Sequence, residues 1–169
     1  MIPLLEFPEI VEHYGPYFRG VFSAEAFIEF KRYISGLMVS ENKTVEGINR
    51  LFERASRHQS SLNRLLTESP FSLDALNQAR LAVLNSQGAT QVKPKGVLSL
   101  DDSLLSHYGQ GFEQIAKLYD PVRESYVWAH DVVTLHYSDD DTDYPLYFQV
   151  WQPAEVDKLE QGLRAAGVN

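Results

Sequence analysis

The sequence predicts an α+β fold, helical in its first part and β-rich in its second. Three observations carry this expectation. Apolar residues recur at helical spacing across residues 23–87, and the following polar stretch, 87–96, holds two Gly and one Pro. Beyond it come aromatic and β-branched runs broken by acidic turns. The chain has 169 residues, 44% hydrophobic and 22% charged, which suits a folded protein. Cysteine is absent, excluding disulfides, Cys-ligated zinc, iron–sulfur clusters and thiol catalysis. No run approaches the ~20 apolar residues needed to cross a bilayer. The first fifteen residues carry three Glu, two Pro and no Lys or Arg, unlike a secretory signal, so a cytoplasmic setting without membrane partners is expected.

Each element has its own signature. Ser23 is placed to cap a helix on which Ala26, Phe27, Phe30, Tyr33, Ile34, Leu37 and Met38 form an apolar stripe, with Glu29, Lys31 and Arg32 off it. Thr44 caps a second, carrying Val45, Ile48, Leu51, Phe52 and Ala55. A polar break over 56–60 leads to a short helix with Leu62, Leu65 and Leu66. It ends at Ser69-Pro70, because the residue before proline leaves the α region. A fourth helix is expected over 72–87, with Leu73, Leu76, Val83 and Leu84 inward and Gly88 as its stop. Residues 97–100 are a short apolar run of the kind found in buried strands, and they meet Asp101-Asp102 directly. Residues 126–137 and 144–151 read as a hairpin around an acidic turn, and a helix over 154–166 closes the chain.

The net charge of −8 is unevenly spread. Residues 1–95 hold 11 basic and 10 acidic side chains, whereas 96–169 hold 4 and 13. Two domains with different partners, 1–90 and 96–169, are therefore expected.

The strand running into Asp101-Asp102 holds the most chemistry. Two-metal phosphoryl-transfer sites need carboxylates on rigid backbone, because two ions about 3.5–4 Å apart clamp the attacking and leaving oxygens. On a regular strand the two side chains point to opposite faces, so one ligates while the other caps or supports the turn. The alternative, which spacing alone favours, is that Asp101-Asp102-Ser103 merely caps a following helix or turn. The acidic run Asp139-Asp140-Asp141-Thr142-Asp143 lacks the spacing and downstream Glu of a calcium loop and reads as a solvated tip. His130 and His136 share a strand face but lie too far apart to chelate one ion. His107 is near enough to Asp102 in sequence to orient a phosphate or water, or is simply a loop histidine.

In the helical part, Lys43, Arg50, Arg54, Arg57 and Arg64 stand against Glu46 and Glu53. Arg50, Arg54 and Arg57, at i, i+4 and i+7, are expected on one helix face. Two helices around a polar turn, the second opening Ser60-Ser61-Leu62-Asn63-Arg64, have the outline of a helix-turn-helix. The plainer reading is a solvated face of a small bundle.

Taken together, FIEFKRYISGLMVSENKTVEGINRLF and SSLNRLLTESPFSLDALNQARLAVL, followed by GVLSLDDSLLSHYG, LYDPVRESYVWAHDVVTLHY and YPLYFQVWQP, resemble the N-terminal part of DDE-type insertion-sequence transposases. That family opens with a helical DNA-binding region and continues into an RNase H-like domain whose first strand bears an acid-Asp-Thr signature. Here it reads Asp101-Asp102-Ser103, with Ser where Thr is commoner. The resemblance implies a helix-turn-helix-like bundle followed by the first three strands of an RNase H-like α/β domain. It implies Asp102 as the first catalytic carboxylate, Asp102 and its supporting neighbour Asp101 as metal-binding residues, and Mg²⁺ or Mn²⁺ as cofactor. It also implies transposon-end DNA as partner, with Lys43, Arg50, Arg54, Arg57, Asn63 and Arg64 as contacts.

The family's second Asp and its Glu come well beyond the third strand, and no acid of this chain matches them. An N-terminal fragment, incomplete for catalysis alone, is thus expected. Its open strand edges would take up the missing C-terminal portion or form a homodimer. It would also occupy transposon ends as an inhibitor or regulator. A small metal-dependent enzyme built on Asp102, His107 and His130 is the remaining reading.

Overall fold

The computed structural model describes residues 4–52, 57–109, 111, 113–151, 158, 162 and 165. The chain divides into two compact units, Met1–Gln91 and Val92–Asn169.

The first unit is helical. It comprises α1 (Glu9–Tyr14), a 3-10 turn (Gly15–Phe18), α2 (Ala24–Val39), α3 (Val45–Asn49), α4 (Gln59–Thr67) and α5 (Leu73–Asn85). Ser23, Thr44 and Ser72 cap as their chemistry suggests, accepting from the backbone N–H of Ala26, Gly47 and Ala75 at 3.2, 3.1 and 3.2 Å. Helix α3 is shorter than its periodicity implies. It stops at Asn49 because the chain is drawn into a parallel bridge between Phe52 and Leu4, the Leu51 carbonyl accepting from Leu4 N–H at 2.6 Å. Leu51 and Phe52 thereby join Ile48 and Leu62 in the core without being helical. Arg50 is left at the α3 C-cap and Arg57 precedes α4, so the expected single face of Arg50 and Arg57 does not form. Arg54 lies outside the described residues, as does the helix expected over 154–166, apart from Lys158, Gly162 and Ala165, which are helical.

The second correction concerns α2, which buries its polar side. Arg32 is 0% and Glu29 4% exposed, while Leu37 and Met38 are exposed. Burial of these charges is tolerated because they are paired. Arg32 Nη1 donates to Glu29 Oε2 at 2.6 Å and Arg32 Nη2 to Asn49 Oδ1 at 2.8 Å. Arg57 Nη1 donates to Glu29 Oε1 at 3.0 Å. Gly36, on the same side, lets α3 approach, since a Cβ there would lie 2.3 Å from Ile48 Cγ2. The apolar stripe faces elsewhere: Phe30 stacks on Phe22 with centroids 4.7 Å apart, beside a cavity of about 550 Å³ between α2, α5 and the 3-10 turn. Leu73, expected inward, is exposed at the start of α5.

The second unit is a four-stranded antiparallel sheet: β1 (Val97–Ser106), β2 (Ala116–Asp120), β3 (Ser125–Ser138) and β4 (Asp143–Trp151). All three other strands pair with β3. β1 lies along residues 129–138 and β4 along 131–138 on the opposite edge, while β2 covers 125–129. Strand β2 is additional to the three expected. Its turn is set by Asp120 Oδ1, which accepts from the N–H of Val122 and Arg123 at 2.9 and 3.2 Å, and by Glu124 at φ 51°.

β1 also outruns expectation. It continues through Asp101-Asp102 to Ser106, so the acid pair lies within a strand and caps no helix. Nor is it buried: Leu98 and Leu100 are exposed, because β1 has one sheet neighbour and little packs on its faces among the described residues.

The start of β1 is fastened by a polar latch. Lys93 N–H donates to Tyr137 Oη at 2.8 Å, and Tyr137 Oη donates to Asp139 Oδ2 at 2.7 Å. Lys93 Nζ pairs with Asp141 and, at 3.6 Å, with Asp139. The Tyr137 hydrogen bond, followed by one from Asp141 N–H, holds the Asp139 carboxyl down at about 2. Burial and the same bond to Asp139 raise the Tyr137 phenol. Gly96 is required at this point, since a Cβ would fall 2.0 Å from the Tyr137 ring.

Candidate metal centre and nucleic-acid face

Antiparallel pairing places cross-strand partners on one face and alternates that face along each strand. Asp102 is opposite Val133, and Leu104 is opposite Asp131. Asp102 and Asp131 are therefore diagonal neighbours on one face. Asp101, opposite Thr134, belongs to the other face. A shallow cavity of about 330 Å³ is bordered by Leu100, Asp101, Asp102, Asp131, Val133 and Trp151. Asp101 reaches it along the strand, although its side chain alternates away.

Asp131, which pattern reading did not single out, borders the same cavity as Asp102. Burial, and then the charge of Asp102, push its carboxyl above the usual range. Its Oδ1 is buried without a hydrogen-bond partner. Among the described residues none of Asp101, Asp102 and Asp131 is paired with a cation, and the ion pairs of this unit engage Lys93 and Arg123 elsewhere. The signal was present in the sequence, since Asp131 is the only acid in the run from Tyr126 to Tyr137.

His107 does not assist Asp102. Its Nε2 lies 2.8 Å from His130 Nδ1, and His130 Nε2 lies 2.7 Å from the Glu113 carbonyl. His130 is opposite Leu105, on the face away from Asp102, so Asp102, His107 and His130 do not converge on one ion. Among the described residues no group of three or more His, Asp or Glu side chains is placed to hold a metal.

The six residues expected at DNA are divided by the fold. Lys43 Nζ donates to the Leu37 carbonyl at the end of α2, and Arg50 pairs with Glu46. Arg57 is tied to Glu29, though its side chain stays 40% exposed. Asn63 and Arg64 are exposed together on α4, where, among the described residues, Arg64 has a 3.5 Å contact with Ser61 Oγ. Arg54 is outside the described residues.

Carboxylates on rigid strands, with no cationic partner among the described residues, are hard oxygen donors suited to Mg²⁺, Mn²⁺ or Ca²⁺. The orphaned Asp131 oxygen beside Asp102 fits such an ion. A helical unit joined to a sheet bearing those acids is compatible with a DNA-cutting enzyme of the DDE type. The chain belongs to the DDE superfamily endonucleases, whose family model matches residues 16–169. A transposase-like nuclease function acting on DNA follows from that membership, and enzymes of this superfamily generally use divalent metal ions. No curated protein and no solved structure matches the chain. Among the described residues no helix is long and apolar enough to cross a membrane.

Proposed function

We propose that the chain is the N-terminal part of a DNA transposase, pairing a helical DNA-binding unit (1–90) with the opening strands of an RNase H-like catalytic domain (96–169). The observation that carries this reading is the position of Asp102. It stands mid-strand on β1, exposed and without a cationic partner among the described residues, inside the stretch matched by the DDE family. In this role Asp102 and its cavity neighbour Asp131 would hold a Mg²⁺ or Mn²⁺ ion. Such an ion supplies Lewis acidity toward a phosphodiester. Asn63 and Arg64 head the DNA contacts, with Lys43, Arg50, Arg54 and Arg57 supporting, phosphates first and bases second.

Filter binding of duplex DNA carrying the inverted-repeat end of the encoding element tests the reading. Binding should fall roughly log-linearly with salt, because cationic side chains release counterions from the phosphates. Salt-independent binding, or none, overturns it.

A second reading, a DNA-binding regulator of transposition, is favoured by the absence of a three-donor metal group among the described residues. Excess chain added to a complete transposase reaction distinguishes the two. The regulator inhibits end cleavage through DNA occupancy, and Arg64→Ala relieves that inhibition.

A further inference from the structure

We infer that Asp131, and not Asp101, is the carboxylate that joins Asp102 in facing the divalent cation. This rests on the proposed role of Asp102. Three independent features of the sheet support it.

The first is register. Diagonal residues on one face of an antiparallel pair stand about 7–8 Å apart at Cα, within reach of a shared cation that accepts oxygens at about 2.0–2.6 Å. Asp102 and Asp131 have this relation through Val133 and Leu104, whereas Asp101 alternates to the face of Thr134 and His130. The second is the unmet need of Asp131. Its Oδ1 is buried with no donor, a costly state that a cation relieves. No described Lys or Arg is within ion-pair distance of either carboxylate. The third is the surroundings. Leu100, Val133 and Trp151 border the cavity, and apolar walls lower the local dielectric and strengthen a carboxylate–cation contact. Trp151 is also the register partner of Asp131 on β4, which places an optical reporter beside the site.

The test uses the full chain and Mn²⁺ alone, with free Mn²⁺ counted by electron paramagnetic resonance and binding followed by quenching of tryptophan emission. Asp102→Asn and Asp131→Asn should each weaken Mn²⁺ binding about tenfold or more. Asp101→Asn should leave it within about twofold. Melting in EDTA separates ligation from folding. Asp131→Asn removes an uncompensated buried charge, so its melting temperature without metal should equal or exceed that of the parent, while the Mn²⁺-induced rise disappears. Binding that survives Asp131→Asn but not Asp102→Asn overturns this inference and leaves the role of Asp102 standing. Binding insensitive to Asp102→Asn, or absent from the parent chain, overturns both. A lower melting point of Asp131→Asn in EDTA with normal Mn²⁺ binding assigns Asp131 to the fold and overturns the inference.

Discussion

Glu29 accepts from Arg32 and Arg57 at once, in a position 4% exposed to solvent. Removing it leaves the Arg32 guanidinium buried with no counter-charge. Glu29→Ala should therefore cost about 3–5 kcal/mol in urea unfolding. Replacing Glu29 and Arg32 together by Leu and Met should cost less than either single change, because the desolvation penalty goes with the charges. Hydrophobic periodicity misassigned this side of α2, since it counts Glu and Arg as solvent-facing whatever they pair with. The readable clue was the i, i+3, i+7 alignment of Glu29, Arg32 and Gly36, a helix side with a glycine at its contact point. The Tyr137–Asp139 latch makes a pH prediction at the same scale. The folded Asp139 pKa of about 2 is below its ordinary 3.8, so the bond stabilises the fold above that ordinary value and is lost as pH falls toward 2. Tyr137 is shifted upward, so its contribution is present below its ordinary 10.0 and fades at higher pH, where the phenol ionises. Asp139→Asn should flatten the acid limb of a tryptophan-monitored stability profile between pH 4 and pH 2; an unchanged limb would count against the latch.

The starts of α2, α3 and α5 were legible because a single side chain makes each of those caps; helix ends were not. Thr44 caps α3 as its residue type indicates, but the bridge between Leu4 and Phe52 that stops α3 is a contact between distant residues. β1 and β2 were misjudged for a related reason. Asp101, Asp102 and Ser103 have poor strand propensity, yet continuous pairing with 132–134 keeps them extended. Asp131 was missed by the same focus on local pattern, since only register places it beside Asp102. The shortened α3 changes how the arginines are expected to act. Arg64→Ala should weaken DNA binding evenly across sequences and reduce the salt slope by about 1, with no change in melting temperature. Arg57→Ala should lower the melting temperature as well, because it also removes a partner of Glu29. If Arg57→Ala and Arg64→Ala alter DNA binding and stability identically, the division of roles between them fails.

The chain divides into two compact units, Met1–Gln91 and Val92–Asn169. The charge imbalance and the optical probes follow the same division. Both tryptophans, Trp128 and Trp151, belong to the acidic unit, whereas α1 to α5 lie in Met1–Gln91. Tryptophan emission therefore reports the sheet, and far-ultraviolet circular dichroism near 222 nm reports mainly the helices. Residues 96–169 carry 13 acidic against 4 basic side chains, so self-repulsion opposes their folding and is screened by salt within about 10 Å at 0.1 M. Added NaCl should raise the tryptophan midpoint in thermal unfolding while leaving the helical midpoint nearly fixed. Mn²⁺ should raise the same tryptophan midpoint at far lower concentration, because an ion held by Asp102 and Asp131 binds only the folded sheet. Asp102→Asn should abolish the Mn²⁺ effect and leave the NaCl effect intact, since screening acts on the whole unit and ligation on one face of it. Equal responses of both probes to both ions would mean that the two units unfold as one and that the charge asymmetry has no separate consequence for the sheet.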